Sequence, residues 1–441
     1  MKTKTLFIAV YILCNTVLTF AQTNVSGGIY TNTTWTLANS PYIVVDTVVV
    51  FPGVILTIEP GVVVKFDNNN RMEIRHAFLF AEGTSTDSIT FTSNSISPTT
   101  GIWSDVFINY SNSSTSNTTS KFSYCNFRYA KNGISIYSSG NSGDTLIIKN
   151  SIFNNNNNGI YSESYEIMIF VDSCNLRNNT IGVYSPNYNA LLHINNCNVS
   201  NNNKGVYLHS GCRITNSVID SNSIEGINMQ AKNNSIVNCE IKYNGIGIHK
   251  VSGTNVPNKI SRNVIENNNI GIKLEQSYGL DTIICNKICN NSTYDLYYNV
   301  AFGDNISIPN NYWCTTDSTN ISTRIYDGYD NINLALVNFM PLDTSQCFLL
   351  TGINNQTLLN DNIFKIYPNP FTQFTTLEFE NPQNKKHSIS VYNLYGQLIF
   401  SISNITTGQV KIERANLTGG LYFFQLLTDK QVIATGKFII E

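Results

Sequence analysis

The chain has 441 residues, 42% of them hydrophobic and only 13% charged, with 27 basic against 29 acidic side chains. A net charge of −2 gives no electrostatic case for nucleic acid or for an anionic membrane surface as partner. Polarity comes instead from Asn, Ser and Thr, neutral side chains that stack on copies of themselves where like charges cannot.

In chain order, residues 1–21 read as a signal peptide, with Lys2 and Lys4 as the basic start and Leu6 to Phe20 as the apolar middle. Thr19-Phe20-Ala21 supplies the cleavage site, and bulky Leu13 before Cys14 argues against a lipoprotein. No later stretch is long enough to span a bilayer as a helix, so no transmembrane segment is expected. Val54–Phe66 and Ile89–Ser93 alternate apolar and polar residues, which predicts strands. A Ser/Thr/Asn loop over 109–120 then lengthens one turn of the same architecture.

From Gly133 the chain repeats. Gly-Ile or Gly-Val recurs with glycines at 133, 159, 182, 205, 226, 247 and 271, steps of 21 to 26 residues. A period of that size without helical patterning suits one turn of a right-handed parallel β-helix, assigned to residues 22–345 with an N-terminal cap and a closing turn. Phe127, Phe153, Leu176, Val199, Ile241 and Ile265 are expected to stack inside the coil. Gly205 is read as admitting backbone geometry that other residues resist. The Asn runs at the bends are read as left-handed residues and amide ladders. Cys125, Cys174, Cys197 and Cys239 share one register with Ser151 and Asn263, which favours a ladder of small side chains over disulfides. Cys285 with Cys289, or Cys314 with Cys347, are the pairs weighed as bridges, and their pairing is left open.

Trp35, Pro41-Tyr42-Ile43-Val44, Ile58-Glu59-Pro60-Gly61, Gly83-Thr84 and Ile89-Thr90-Phe91-Thr92 resemble exported bacterial β-helix proteins with pectin-lyase-like folds. Asn311-Tyr312-Trp313, Ile325-Tyr326-Asp327 and Val337–Pro341 look like that family's closing turn. A linker (346–361) leads to residues 362–441, six or seven short strands that suggest a small β-sandwich. This segment resembles the type A C-terminal sorting domain of the type IX secretion system of Bacteroidetes. The resemblance rests on Tyr367-Pro368-Asn369-Pro370, on Gly396 within Leu394–Gln397, on Gly420 and Tyr422 after Leu417, and on Gly436-Lys437. It implies handling by the type IX machinery, passage through the periplasm to the medium or cell surface, and removal of the domain. Release or anchoring to surface lipopolysaccharide would follow.

No catalytic, metal or cofactor residue is assigned. Asp172, Asp220, Glu240 and Glu266 fall in different registers, as do Arg177, Arg213 and Arg262. Glu163 and Glu275 share a register but lie five turns apart, about 24 Å at sheet spacing. Calcium would need carboxylates on adjacent turns. Asp317, Asp327 and Asp330 are weighed for it and read as part of the cap. Two residues after each glycine come Ser135, Tyr161, Tyr184, Tyr207, Asn228, His249 and Lys273, a column expected to face outward. Tyr161, Tyr184, Tyr207, Asn228 and His249, flanked by Glu163 and His209, form the candidate glycan strip, because a sugar ring packs on flat aromatic faces. The plain alternative is that tyrosine suits exposed strands and stacks on itself, with the histidines as surface residues. The expectation is a secreted or cell-surface protein that binds or adheres, with a polysaccharide as ligand. A polysaccharide lyase or glycoside hydrolase acting on an extended glycan is the alternative, and three carboxylates or bases converging in one groove would favour it.

Overall fold

The computed structural model describes residues 22–110, 118–139, 143–165, 167–187, 191–252, 256–276, 280–344, 347, 364–379, 381, 384–393, 398–428 and 431–441. The signal peptide, most of the 109–120 loop and nearly all of the linker lie outside the described residues. The chain divides into two units, Met1–Thr351 and Gly352–Glu441.

Each coil of the first unit contributes three short strands, as in Met168–Asp172, Asn175–Arg177 and Ile181–Ser185, followed by Leu191–Asn195, Asn198–Ser200 and Lys204–Leu208. Equivalent strands pair in parallel and in register, with Ile169 on Leu192, Leu176 on Val199 and Val183 on Val206. One face alone stacks eleven strands. The result is a right-handed parallel β-helix. Its interior is built from columns: Phe91, Phe127, Phe153, Leu176, Val199, Ile219, Ile241, Ile265 and Ile288 align turn upon turn and are wholly buried. The phenylalanine rings lie 4.7 and 4.8 Å apart and nearly parallel. Each buried side chain contributes about 1.5–3 kcal/mol, and a coil without neighbours has nothing to bury it against.

The bends follow one rule. A left-handed residue is followed by a side chain that bonds a neighbouring turn. At one corner Asn150, Ser173, Asn196, Asn216, Asn238 and Arg262 have positive φ, and Ser151, Cys174, Cys197, Ser217, Cys239 and Asn263 follow them. The Cys197 amide donates to Ser217 Oγ (3.1 Å), and the Cys239 amide to Asn263 Oδ1 (2.9 Å). The thiols of Cys125, Cys174, Cys197 and Cys239 are therefore rungs, free and buried. At the next corner Asn156, Asn179, Asn202, Asn222, Asn244, Asn268 and Asn291 form an amide ladder. Each Nδ2 donates to the following Oδ1 at 2.9–3.1 Å, and Asp295 accepts the last bond.

Two expectations are corrected. The turn glycines do not have positive φ; a Cβ on Gly205 would stand 2.4 Å from the Gly226 carbonyl oxygen and 2.9 Å from Asn222 Nδ2. Close approach of successive turns is what excludes a side chain there. The disulfides are Cys285–Cys347 and Cys289–Cys314, neither of the pairs weighed from spacing. Cys285 stands at a left-handed bend between the strands Thr282–Ile284 and Lys287–Cys289, and each cysteine meets its partner from a later segment of the chain.

At the N-terminal end Thr23–Ile29 pairs with Tyr42–Val50. At the other end Asp317 caps the short helix Ser318–Ser322, accepting from the amides of Thr319 and Asn320. Asp327 accepts from the Tyr329 and Val337 amides, and Asp330 from the Asp327 amide. Among the described residues no helix is long and apolar enough to cross a membrane.

Among its described residues the C-terminal unit has seven strands in antiparallel sheets of three and four. Leu377, Phe379 and Ile412 from one sheet share a core with Ile389, Phe424 and Phe438 from the other, which makes a small sandwich. Its recognised motifs hold chain ends together. Asn369, between Pro368 and Pro370, accepts the Ile439 amide (2.8 Å). Exposed Tyr367 donates to Glu378 Oε2, and buried Tyr422 donates to the Thr418 carbonyl. Gly420 has φ +151°, and Gly436 and exposed Lys437 lie on the last strand opposite Phe424 and Phe423. Gly396 lies outside the described residues.

Candidate functional site

The register of the third face sets one outward column: Ser135, Tyr161, Tyr184, Tyr207, Asn228, His249, Lys273, Tyr297 and Tyr326 align in that order. Tyr161 and Tyr184 have ring centroids 5.5 Å apart, and Tyr184 and Tyr207 4.9 Å. These three rings are half-buried. Burial, then contact with the Glu163 carboxylate, raises the Tyr161 phenol well above its ordinary value. Burial and the neighbouring Tyr184 raise Tyr207. Tyr161 and Tyr207 thus each present a neutral hydroxyl beside an apolar face. His209 is half-buried on the same face, its imidazole held toward the neutral form by burial.

Asn228 and His249 do not extend this strip as an open surface. They are 2% and 8% exposed, drawn in by Glu225, which aligns one strand position before the turn glycine. Asn228 Nδ2 donates to Glu225 Oε2 (2.9 Å), Lys204 Nζ lies 3.0 Å from the same oxygen, and His249 Nδ1 lies 2.5 Å from Oε1. Burial opposes ionisation of Glu225, but the bonds from His249, Lys204 and Asn228 outweigh it and bring its carboxyl down to about 2. On the far side His249 Nε2 faces Glu275 Oε2 at 3.2 Å without hydrogen-bond geometry, and Glu275 Oε1 pairs with Lys273 Nζ at 2.5 Å. Burial opposes and Lys273 favours the Glu275 carboxylate, whose pKa is lowered. His249 is therefore a buried histidine between two carboxylates, not the surface residue expected.

Beyond this charged stretch the column turns aromatic again. Tyr297 and Tyr326 stack at 4.5 Å with ring planes 3° apart, and Tyr294 leans on both at 5.7 and 5.5 Å. Lys204 lies 5.9 Å from the Tyr207 ring and Lys273 5.8 Å from the Tyr297 ring, so a cation borders each platform. Seven steps separate Tyr161 from Tyr326, about 34 Å at sheet spacing. Sequence reading missed Glu225, Tyr294, Tyr297 and Tyr326. Glu225 meets His249 diagonally, across columns that were compared only singly. In the last turn Asp295 replaces the marker glycine, a place revealed by the 2.5 Å from a Gly271 Cβ to the Asp295 carbonyl.

Comparison with known families agrees with this architecture. Residues 365–441 match the secretion system C-terminal sorting domain, and residues 171–331 match the family described as periplasmic copper-binding protein (NosD). No curated protein matches the chain. Among solved structures, a mutant of the periplasmic alginate epimerase AlgG is similar over 73% of this chain and 76% of that one. Identity there is 11% and the TM-score 0.29. The protein is a β-helix protein carrying a secretion-system sorting domain, and so belongs to the class of secreted or cell-surface proteins handled by type IX secretion.

The donors do not suit the copper of the NosD description. Among the described residues no three of His, Cys, Asp and Glu converge as metal ligands. The thiols in the matched range bond backbone carbonyls, as Cys197 does to Asn195, and burial raises Cys239 to about 12.

Proposed function

We propose that the β-helix is a non-catalytic carbohydrate-binding module displayed outside the cell. Its ligand is an extended glycan lying along the column from Tyr161 to Tyr326. The observation that carries this reading is the pair of tyrosine platforms on one column, with their bordering lysines. Aromatic faces take the apolar side of sugar rings, and hydroxyls, Glu163 and His209 take their edges. The parallel β-helix supports an elongated ligand, since it offers one repeated face. The sorting domain supports delivery, after which the β-helix is released or anchored to surface lipopolysaccharide.

Replacing Tyr161, Tyr184 and Tyr207 together with Ser should reduce binding on a glycan array at least 100-fold, with the far-ultraviolet circular dichroism unchanged. Equal binding by the variant removes the proposal. For delivery, a chain ending at Asn360 should accumulate in the periplasm; its normal display at the surface would overturn that part.

One observation favours a second reading. Glu225, His249 and Glu275 converge, the condition set for a lyase or hydrolase. Against it, both carboxylates are held by lysines, and Glu225 is too acidic to deliver a proton near neutral pH. Incubation of the protein with plant, algal and host polysaccharides, followed by size-exclusion chromatography, separates the readings. Shortening of any polymer that is lost in His249→Ala would make the protein an enzyme.

A further inference from the structure

Leu208, Met229, Lys250, Leu274 and Tyr298 align turn upon turn inside the coil, and Lys250 is the one charge among them. Its ammonium contacts Asp281 Oδ2, and both side chains are 2% exposed. Asp281 in turn ends a further ladder. The Cys212 amide donates to Asn234 Oδ1 (3.1 Å), the Asn234 amide to Asn258 Oδ1 (3.0 Å) and the Asn258 amide to Asp281 Oδ1 (2.9 Å). An asparagine at 281 would accept that bond equally well, so the ladder does not need the second carboxylate oxygen. Nor does the column need an amine. A buried ion pair is often no more stable than apolar side chains of similar volume, so packing accounts for neither residue. Asn258 Nδ2 also donates to Asp281 Oδ1 (3.1 Å). Two donors thus converge on one carboxylate oxygen while the amine meets the other.

We infer that Lys250 and Asp281 are a self-modification site, where the two side chains condense into an intramolecular amide crosslink. One proton passes from the ammonium to Oδ2, which leaves an amine beside a carboxylic acid. Nζ then attacks Cγ. The negative charge that develops on Oδ1 is received by the backbone and side-chain donors of Asn258, the arrangement of an oxyanion hole. As the Nζ–Cγ bond forms the Cγ–Oδ2 bond breaks. Oδ2 departs as water with the transferred proton and a second from the attacking amine, and Oδ1 remains as the amide carbonyl. One positive and one negative charge vanish from the core, and no oxidant or co-reactant is required. Well-oriented groups held in contact react with effective molarities of about 10⁵–10⁸ M, which favours condensation over the open pair. The product ties the coil that ends its strand at Lys250 to the one that begins its strand at Thr282.

The test is the intact mass of the full chain, purified, reduced and denatured. It should be lighter by one water than its polypeptide sequence requires. Trypsin should fail to cut after Lys250 and should yield a branched peptide joining residues 243–259 to residues 274–287, located by tandem mass spectrometry. Lys250→Met, which places in the column the side chain already found at Met229, should keep the circular dichroism. That variant should recover the full mass, release the 274–287 peptide unbranched, and migrate differently from wild type on a reducing denaturing gel. A wild-type chain of full mass that is cut after Lys250, a water loss located at other residues, or a loss that survives Lys250→Met overturns the inference.

Discussion

Replacing Asn222 with Leu tests whether the amide ladder, rather than the apolar columns alone, holds the coils in register. Asn222 is wholly buried and makes four side-chain bonds. Its Oδ1 accepts from the Asn202 amide (3.1 Å) and Asn202 Nδ2 (3.0 Å); its Nδ2 donates to the Val199 carbonyl (3.0 Å) and Asn244 Oδ1 (2.9 Å). Leucine nearly conserves volume but leaves two donors of Asn202 without an acceptor, at about 1–3 kcal/mol each. Asn244 Oδ1 keeps the backbone amide of residue 222 (3.0 Å), so its loss is smaller. Burial of the new side chain returns about 1.5 kcal/mol, for a net local cost of about 0.5–4.5 kcal/mol, centred near about 2.5 kcal/mol. In a solenoid that cost stays with neighbouring coils, so a global unfolding midpoint is a blunt readout. Native-state hydrogen exchange resolves it. Protection across 198–206 should fall by roughly 70-fold at the centre of that range, while 132–139, several coils away, stays unchanged. Unchanged protection at 198–206, or an equal loss in both segments, would refute the reasoning.

Gly205→Ala should destabilise the coil by about 1–3 kcal/mol through overpacking, whereas Gly53→Ala, at φ +79° with nothing within 4 Å of a Cβ, should lose only about 1–2 kcal/mol of left-handed strain; denaturation midpoints of the pair show whether contact or φ governs. Glu225→Gln should cost about 1.5–3 kcal/mol at neutral pH, the range for bonds to a charged group. Because the folded carboxyl sits near 2 against an ordinary 4.5, the stability it supplies is complete above the ordinary value. It is lost as pH falls from about 4.5 to about 2, so the gap between wild type and variant should close over that window. A gap that stays constant through it would remove Glu225 as the group responsible. Lys204, His249 and Asn228 face that carboxylate and remain in the variant.

The architecture was legible because a solenoid writes each structural requirement once per coil. The inner column, the left-handed Asn positions and the Cys-Ser-Asn rungs all recur at a fixed distance from Gly-Ile or Gly-Val, so a register of one sequence against itself recovers contacts made between turns. What that register cannot show is contact made obliquely. Glu225, Asn228, His249 and Glu275 occupy three different positions relative to their glycines, and side chains long enough to reach across columns bring them together. The same limit hid the partner of Lys250. It occupies the inner column aligned with Met229 and Leu274, where an ammonium group is tolerable only because Asp281, itself bonded by Asn258, reaches it inside the core. Each break in the repeat thus marks chemistry that the columns do not need for packing. Asp295 shows it most directly: in place of the marker glycine it ends the Asn ladder and holds Arg324. Function in this chain is to be sought where the repeat is violated, and the charged stretch at Glu225 and the buried pair at Lys250 are two such places.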